Sequence, residues 1–223
     1  MKIKRIGHDE NVDQNILIYG APGSGKTPLL CTAPSALILN VDKGMVSVTD
    51  PAVEYVDISS EDDMREIIEF LKNSKDATKY QNVCLDSFSE LNDTIFRSLA
   101  NAKNTRSAYF DCQNITLDLL YQLKNIKGKN FIASCEMKVC SEDIYDFRPY
   151  ANGNTLTITV PHKFNQVLCL LSMTTEEGEK IPYLYSSDEL NDDGNHYLTR
   201  DRSGKLRARE KSNLKSILKR LTK

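Results

Sequence analysis

The sequence has no tryptophan and only three histidines, and no apolar run approaches the roughly 20 residues of a membrane-spanning helix. The start, Met-Lys-Ile-Lys-Arg, lacks the apolar segment of a secretory signal, so no membrane partner and a cytoplasmic location are expected. His8, His162 and His196 form no pattern with a nucleophile, which leaves a hydrolase triad without support. The cysteines (Cys31, Cys84, Cys112, Cys135, Cys140, Cys169) lack the paired short spacings of structural zinc sites, which argues against zinc held by Cys135, Cys140 and His162. Several of them lie in apolar segments, as buried reduced thiols do, rather than in a disulfide framework. The acids Asp188, Glu189, Asp192 and Asp193 lack EF-hand spacing, which disfavours calcium. Ten glycines and seven prolines in 223 residues are too few for a low-complexity chain, and no internal repeat is visible. With 40% hydrophobic and 27% charged residues and no linker, residues 1–223 are expected to form one large α/β domain.

Net charge is small and unevenly placed. The net charge is −2, yet residues 200–223 carry ten basic and two acidic side chains, a local +8 that leaves −10 on the rest. A basic terminus on an acidic body suits contact with a polyanion, and a solvated basic helix is the plainer alternative.

What is present is organised around one stretch. The apolar run Asn15-Ile-Leu-Ile-Tyr19 enters Gly20-Ala21-Pro22-Gly23-Ser24-Gly25-Lys26-Thr27, which matches the phosphate-binding pattern GxxxxGK[ST]. Glycines let such a loop curl so that backbone N–H groups face phosphates, and the following helix adds the positive end of its dipole. Lys26 is then placed to reach the β/γ-phosphates of ATP and the Thr27 hydroxyl to hold Mg²⁺. Pro28 falls in the first helical turn, where a missing N–H costs no bond.

Further along, helix is expected from about Lys26 to Thr32, strand at Ala36–Asn40, and a turn at Asp42-Lys43-Gly44 on the carboxyl end, where open α/β sheets bind ligands. Val53–Asp57 reads as a short strand, and Ser59/Ser60 with Asp62/Asp63 as a helix start. Val83-Cys-Leu-Asp86 is an apolar strand ending in an acid, the Walker B pattern, with Asp86 as metal partner. Helices follow at Glu90–Leu99 and Tyr109–Lys124, with a polar loop between them. Asn130–Glu136 is a strand whose polar end, Ser134 to Glu136, is positioned either to sense a γ-phosphate or simply to meet solvent. Residues 138–155, with Tyr145, Phe147, Arg148 and Tyr150, lose periodicity and suit either a nucleic-acid loop or a packed surface loop. Strands are expected at Gln166–Ser172 and Ile181–Tyr185, with a hairpin-type turn at residues 192–195 before His196–Thr199. Residues 212–223 form an amphipathic basic helix that docks on the body or on a neighbouring subunit.

The order of these pieces resembles the phage nucleotide-binding P-loop proteins, a RecA-like AAA ATPase family with single-strand annealing and recombinase-like members. The likeness runs from about Ile16 to Leu214 and rests on ILIYGAPGSGKT, LILNVDKG, VCLDSFSEL, FIASCEM and HYLTRDRSGKLRARE. It implies a RecA-like P-loop NTPase fold: a mostly parallel sheet flanked by helices, with a late antiparallel hairpin. The family's Asp-x-Glu-Gly-Gly maps onto Asn40-Val-Asp42-Lys43-Gly44, making Asp42 the acid that activates water, while Thr-Ala-His-Glu maps Glu136 onto its final acid. The Ala-Lys-Asp-Arg pattern maps onto Ala208-Arg209-Glu210-Lys211, which implies that Arg209 and Lys211 complete a neighbour's site in a homo-oligomer. The implied activity is Mg²⁺-dependent ATP hydrolysis on single-stranded DNA in phage recombination, annealing or replication, with phage replication or recombination proteins as further partners in the host cytoplasm. The alternatives are an ATP-dependent protein-interaction switch, such as a helicase-loading or partition factor, and a small-molecule kinase, disfavoured because no Arg-rich lid follows the second strand.

Overall fold

The computed structural model describes residues 13–101, 104–140, 146–187, 190–191 and 194–222. Residues 1–12, Tyr145, the acids at 188, 189, 192 and 193, and Lys223 lie outside the described residues. The strands are β1 (Asn15–Gly20), β2 (Ala36–Asn40), β3 (Glu54–Asp57), β4 (Asn82–Asp86), β5 (Asn130–Val139), β6 (Asp146–Pro149), β7 (Gln166–Thr174), β8 (Lys180–Tyr185), β9 (His196–Tyr197), β10 (Arg200–Asp201) and β11 (Arg209–Lys211). The helices are α1 (Lys26–Leu30), α2 (Glu61–Asn73), α3 (Phe88–Ala100), α4 (Thr105–Lys124), α5 (Asn154–Thr159) and α6 (Leu214–Leu221).

The sheet runs β11-β8-β7-β1-β5-β4-β2-β3. From β7 to β3 every pair is parallel; β8 and β11 add antiparallel pairing at the far edge. β5 lies between the strand that carries the phosphate loop and the strand that ends in Asp86. This is the α/β architecture expected from the sequence, a mostly parallel sheet flanked by helices, and the late antiparallel hairpin is β7–β8. The central strands are buried on both faces, so they read as continuous apolar runs rather than as alternation. Leu17 and Tyr19 join the core under α2, α3 and α4, whereas Ile16 and Ile18 face α1 and α6. Among the described residues no helix is long and apolar enough to cross a membrane.

Local chemistry sets the helix starts. The Ser60 hydroxyl accepts from Asp63 N–H (3.1 Å), and Asp63 returns a bond to Ser59 N–H (2.8 Å), a capping arrangement at the head of α2. Ser87 caps α3 directly after Asp86 by accepting from Glu90 N–H (3.2 Å). The acids in the first turn of α2 sit at the positive end of its dipole, while Met64, Ile68 and Leu71 are buried.

Two expectations change. The aperiodic stretch after Lys138 is partly ordered, because β5 extends to Val139 and β6 pairs back on it antiparallel. Residues 192 and 193 of the expected turn lie outside the described residues; beyond it strand covers only His196–Tyr197 of the expected His196–Thr199, and this β9 pairs in parallel with β6, held by Phe147 stacked on Tyr197 (5.0 Å) and by Asp146, which meets both Arg148 (2.6 Å) and His196 (3.0 Å). Tyr19 donates from its hydroxyl to Phe147 C=O (3.0 Å), tying this small sheet to β1.

The terminal helix docks on the body. Leu214, Ile217, Leu218 and Leu221 are buried against Leu29 and Leu30 of α1, and Leu214 N–H donates to the Thr32 hydroxyl (2.7 Å). Ile217→Ala should lower the unfolding free energy by about 2–5 kcal/mol in urea titration, through reduced burial plus a cavity. Lys215→Ala, on the exposed side, should change it by no more than about 0.5 kcal/mol. Equal effects would show that α6 does not pack on α1 in solution.

Candidate functional site

The loop after β1 is built to a tight tolerance. A Cβ on Gly20 would lie 2.7 Å from the Ser24 hydroxyl and 2.9 Å from Leu170 C=O, so a side chain there would push the loop off β7. The Lys26 ammonium bridges back over the loop, donating to the carbonyls of Gly20 (2.9 Å) and Ala21 (3.0 Å). Burial pushes its pKa below the ordinary lysine value, while the negative charges of Asp86, Glu136 and Asp42 pull the other way.

Asp86 is the centre of the site. It is 1% exposed, and both carboxylate oxygens are held: Oδ2 accepts from the Thr27 hydroxyl (2.5 Å) and Oδ1 from the Ser134 hydroxyl (2.6 Å). Three strands supply this contact, with β4 carrying the acid, β5 the serine and β1 the loop. The Asp86 carbonyl accepts from Val41 N–H (2.6 Å) and Asp42 N–H (3.1 Å), which pins the turn after β2 beside the phosphate loop. The turn closes so tightly that a Cβ on Gly44 would sit 3.0 Å from the Thr27 hydroxyl.

Asp42 enters the same cleft. Its carboxyl is pushed above the usual range by burial first and then by the charges of Asp86 and Glu90, with Lys26 opposing. Glu136, near the end of β5, is fixed through its backbone: its N–H donates to the Ser89 hydroxyl (3.0 Å), which itself donates to Tyr150 C=O (2.8 Å). The cleft measures about 380 Å³, and Pro22, Gly23, Gly25, Lys26, Thr27, Pro28, Asp42, Asp86 and Glu136 all line it, with Ser47 and Ser87.

The donor set fits a magnesium–nucleotide complex. A hydroxyl and a carboxylate in contact are hard oxygen ligands, and Mg²⁺ takes one or two of these together with phosphate oxygens and water. No group of three or more His, Cys, Asp or Glu suited to an all-protein metal cage occurs among the described residues. Among the described residues the buried Ser24 hydroxyl has no hydrogen-bond partner; it packs against Gly20 and is not part of the cleft lining. Thr27 and Asp86 are the residues that would hold the ion, which supplies positive charge at the phosphates when bound.

Fold and cleft together define a P-loop nucleoside triphosphatase. The chain belongs to the AAA domain family, whose model matches residues 13–158. No curated protein matches it significantly in sequence. Among solved structures, a KaiC-like protein of the hyperthermophilic archaeon Pyrococcus horikoshii OT3 is 15% identical over 77% of each chain, with a TM-score of 0.41.

The structure brings together Gly20 to Pro28, Asp42, Asp86 and Glu136, and it places Arg209 and Lys211 elsewhere. These two lie on β11, three strand spacings from β1, roughly 14 Å away across the sheet. Arg209 sits over the Tyr183 ring (5.4 Å) and reaches Asn191 Oδ1 (3.4 Å). Sequence reasoning did not single out Ser134 as the partner of Asp86, nor Ser89, Ser47 or Ser87. Ser134 had a partial signal, as a polar residue within the apolar run Phe131–Cys135; the structure then places it one step beyond the Leu85–Ala133 pair and so level with Asp86.

Lys26→Ala should keep the fold and weaken binding of a fluorescent ATP analogue by about 10- to 150-fold, the worth of one charge-assisted hydrogen bond. Unchanged affinity in a folded variant would remove the phosphate loop from the binding site.

Proposed function

We propose that the protein hydrolyses ATP in this cleft and couples hydrolysis to handling single-stranded DNA, in phage recombination, annealing or replication. The observation that carries the hydrolytic reading is the meeting of Lys26, Thr27, Asp86, Asp42 and Glu136 in one cleft. The loop amides and Lys26 bind the triphosphate. Ser134 keeps the Asp86 carboxylate turned toward Thr27, and Asp42 or Glu136 orients the attacking water as its proton leaves. Most catalysis in phosphoryl transfer is positioning and charge stabilisation, which suits a site with no covalent nucleophile.

The DNA reading is supported by charge distribution, with +8 on residues 200–223 and −10 elsewhere. Arg209 and Lys211, too far from their own cleft, are proposed to enter that of the next subunit in a homo-oligomer, where a finger in trans is worth about 10³- to 10⁵-fold in rate.

Steady-state hydrolysis should rise several-fold on addition of single-stranded oligodeoxynucleotide. A rate unmoved by DNA but raised by a protein partner would replace this reading with that of an ATP-dependent interaction switch, and phosphate transfer to a nucleoside or nucleotide would replace it with a kinase.

Asp42→Asn and Glu136→Gln separate the two candidate acids. The one that orients water should lose about 10²-fold or more in kcat with nucleotide affinity nearly intact. Asp42→Asn turning over at the wild-type rate would make Asp42 a turn residue and leave the role to Glu136.

A further inference from the structure

The end of the sheet opposite the phosphate cleft gathers cations from three separate segments. Lys124 ends α4, and its ammonium donates to the carbonyl of Lys163, in the 3-10 turn just before β7. Two residues on, the Asn165 carbonyl accepts from Arg202 N–H (3.3 Å), and Asn165 donates its own N–H to Asn15 C=O (2.9 Å). Lys124, Lys163 and Arg202 therefore stand together where β1 and β7 begin. Among the described residues none of the three side chains is in a salt bridge. The nearby acids are engaged by neutral donors: Asp201 by Gln166 (3.2 Å), Ser203 (2.6 Å) and Leu206 N–H (2.8 Å), and Asp13 by Gly128 N–H (2.9 Å). The Lys124 pKa is pushed below the ordinary lysine value by burial and then by the charges of Lys163 and Arg202, a repulsion that an anion seated among them would relieve.

An aromatic surface adjoins this cluster. Tyr121, 68% exposed, lies one turn before Lys124 on α4, and Phe110, 66% exposed, lies three turns earlier on the same stripe, about 16 Å along the axis. Asp118, between them, is held by Arg65 (3.2 Å) and Gln122 (2.9 Å). Cations beside exposed aromatic faces fit unpaired nucleotides, whose phosphates meet the charges and whose bases stack; a duplex hides its base faces. The basic terminus is partly engaged within its own chain. Arg220 pairs with Glu210 (3.0 Å), Lys205 donates to Leu221 C=O (2.9 Å), and Arg209 lies over Tyr183.

We propose that Lys124, Lys163 and Arg202, with Tyr121 beside them, form the surface that holds single-stranded DNA, at the end of the sheet opposite the phosphate cleft, where β1 and β7 begin. This rests on the DNA reading above and assigns that contact to a different surface from Arg209 and Lys211.

Fluorescence anisotropy of a labelled oligodeoxythymidylate, titrated with full-length protein between 50 and 200 mM salt, tests the assignment. K124Q/K163Q/R202Q should lower the log–log salt slope by about 2, at roughly 0.7 for each phosphate no longer neutralised, and leave DNA-free hydrolysis unchanged. The charge-preserving K124R/K163R/R202K should keep the slope. Tyr121→Ala, on an exposed face and so safe for folding, should weaken binding about five- to hundredfold at fixed salt with the slope unchanged, as removal of a stacking platform requires. If the triple Gln variant and Tyr121→Ala both bind as the wild type does while R209A/K211A loses affinity and slope, this surface is overturned and the DNA reading stands. If the wild-type protein binds no oligonucleotide even at 50 mM salt, the DNA reading fails and the surface assignment fails with it.

Discussion

The contact on which the rest of the molecule depends is the Asp86 carboxylate, clasped between the hydroxyls of Thr27 and Ser134. Asp86 and Ser134 end neighbouring strands and Thr27 opens α1 after β1, so the contact exists only if β5 lies between β1 and β4 with all three in parallel register. The buried apolar runs of those strands provide the driving force. Burial of Ile16, Leu17, Ile18, Cys84, Leu85, Ile132 and Ala133 on both sheet faces fixes the register, because a slip of one residue would exchange every side chain between two differently packed cores. An almost fully buried carboxylate is costly unless hydrogen bonded, and the two hydroxyls meet that requirement while leaving the site its negative charge. Core packing and chemistry are thus the same constraint seen from two sides.

Electrostatics limits what such a cleft can hold. Asp42, Asp86 and Glu136 face one ammonium, Lys26, and Glu90 adds its field from α3. A triphosphate entering that cleft brings more negative charge into a partly desolvated space, where Coulomb terms are several times larger than in water. Binding therefore draws on the loop amides and Lys26, and a divalent cation held by Thr27 and Asp86 would add positive charge there. The cleft's excess of carboxylates and the +8 of residues 200–223 are opposite in sign, and within one chain Arg209 and Lys211 stand three strands from β1.

How much was legible in the sequence followed the range of each interaction. The phosphate loop is local: its glycines, Lys26 and Thr27 lie within eight residues of one another, and their spacing alone specifies the turn and its ligand. β2 and β4 were equally plain, since a strand buried on both faces announces itself as an apolar run between turns. The small sheet of β6 and β9 was not. It is made of four and two residues whose partners lie far off in the chain, and it owes its position to one aromatic stack and one acid, Asp146, shared by Arg148 and His196. Ser134 belongs to the same class. Only the strand order, a non-local property, turns a buried serine into the second clasp on Asp86. The place of Arg209 and Lys211 on β11 was hidden for that reason too, because nothing local says how many strands separate a residue from β1.

The terminal segment shows how one stretch divides two roles by face. Along α6 the apolar stripe of Leu214, Ile217, Leu218 and Leu221 closes the core over α1, and Asn213 caps the helix through Ser216 N–H (3.0 Å). Glu210, buried on β11, accepts from Arg207 N–H (2.9 Å) and pairs with Arg220, so one acid and one base of the +8 segment hold strand to helix. Such a half-buried pair resists salt better than an exposed one, because its acid lies mostly out of reach of counterions. The exposed members, Arg207, Arg209, Lys211, Lys215 and Lys219, project from a platform already fixed by packing. A charged surface on a rigid base loses less side-chain and backbone freedom on meeting its partner than a flexible tail would, and so keeps more of its electrostatic attraction as affinity.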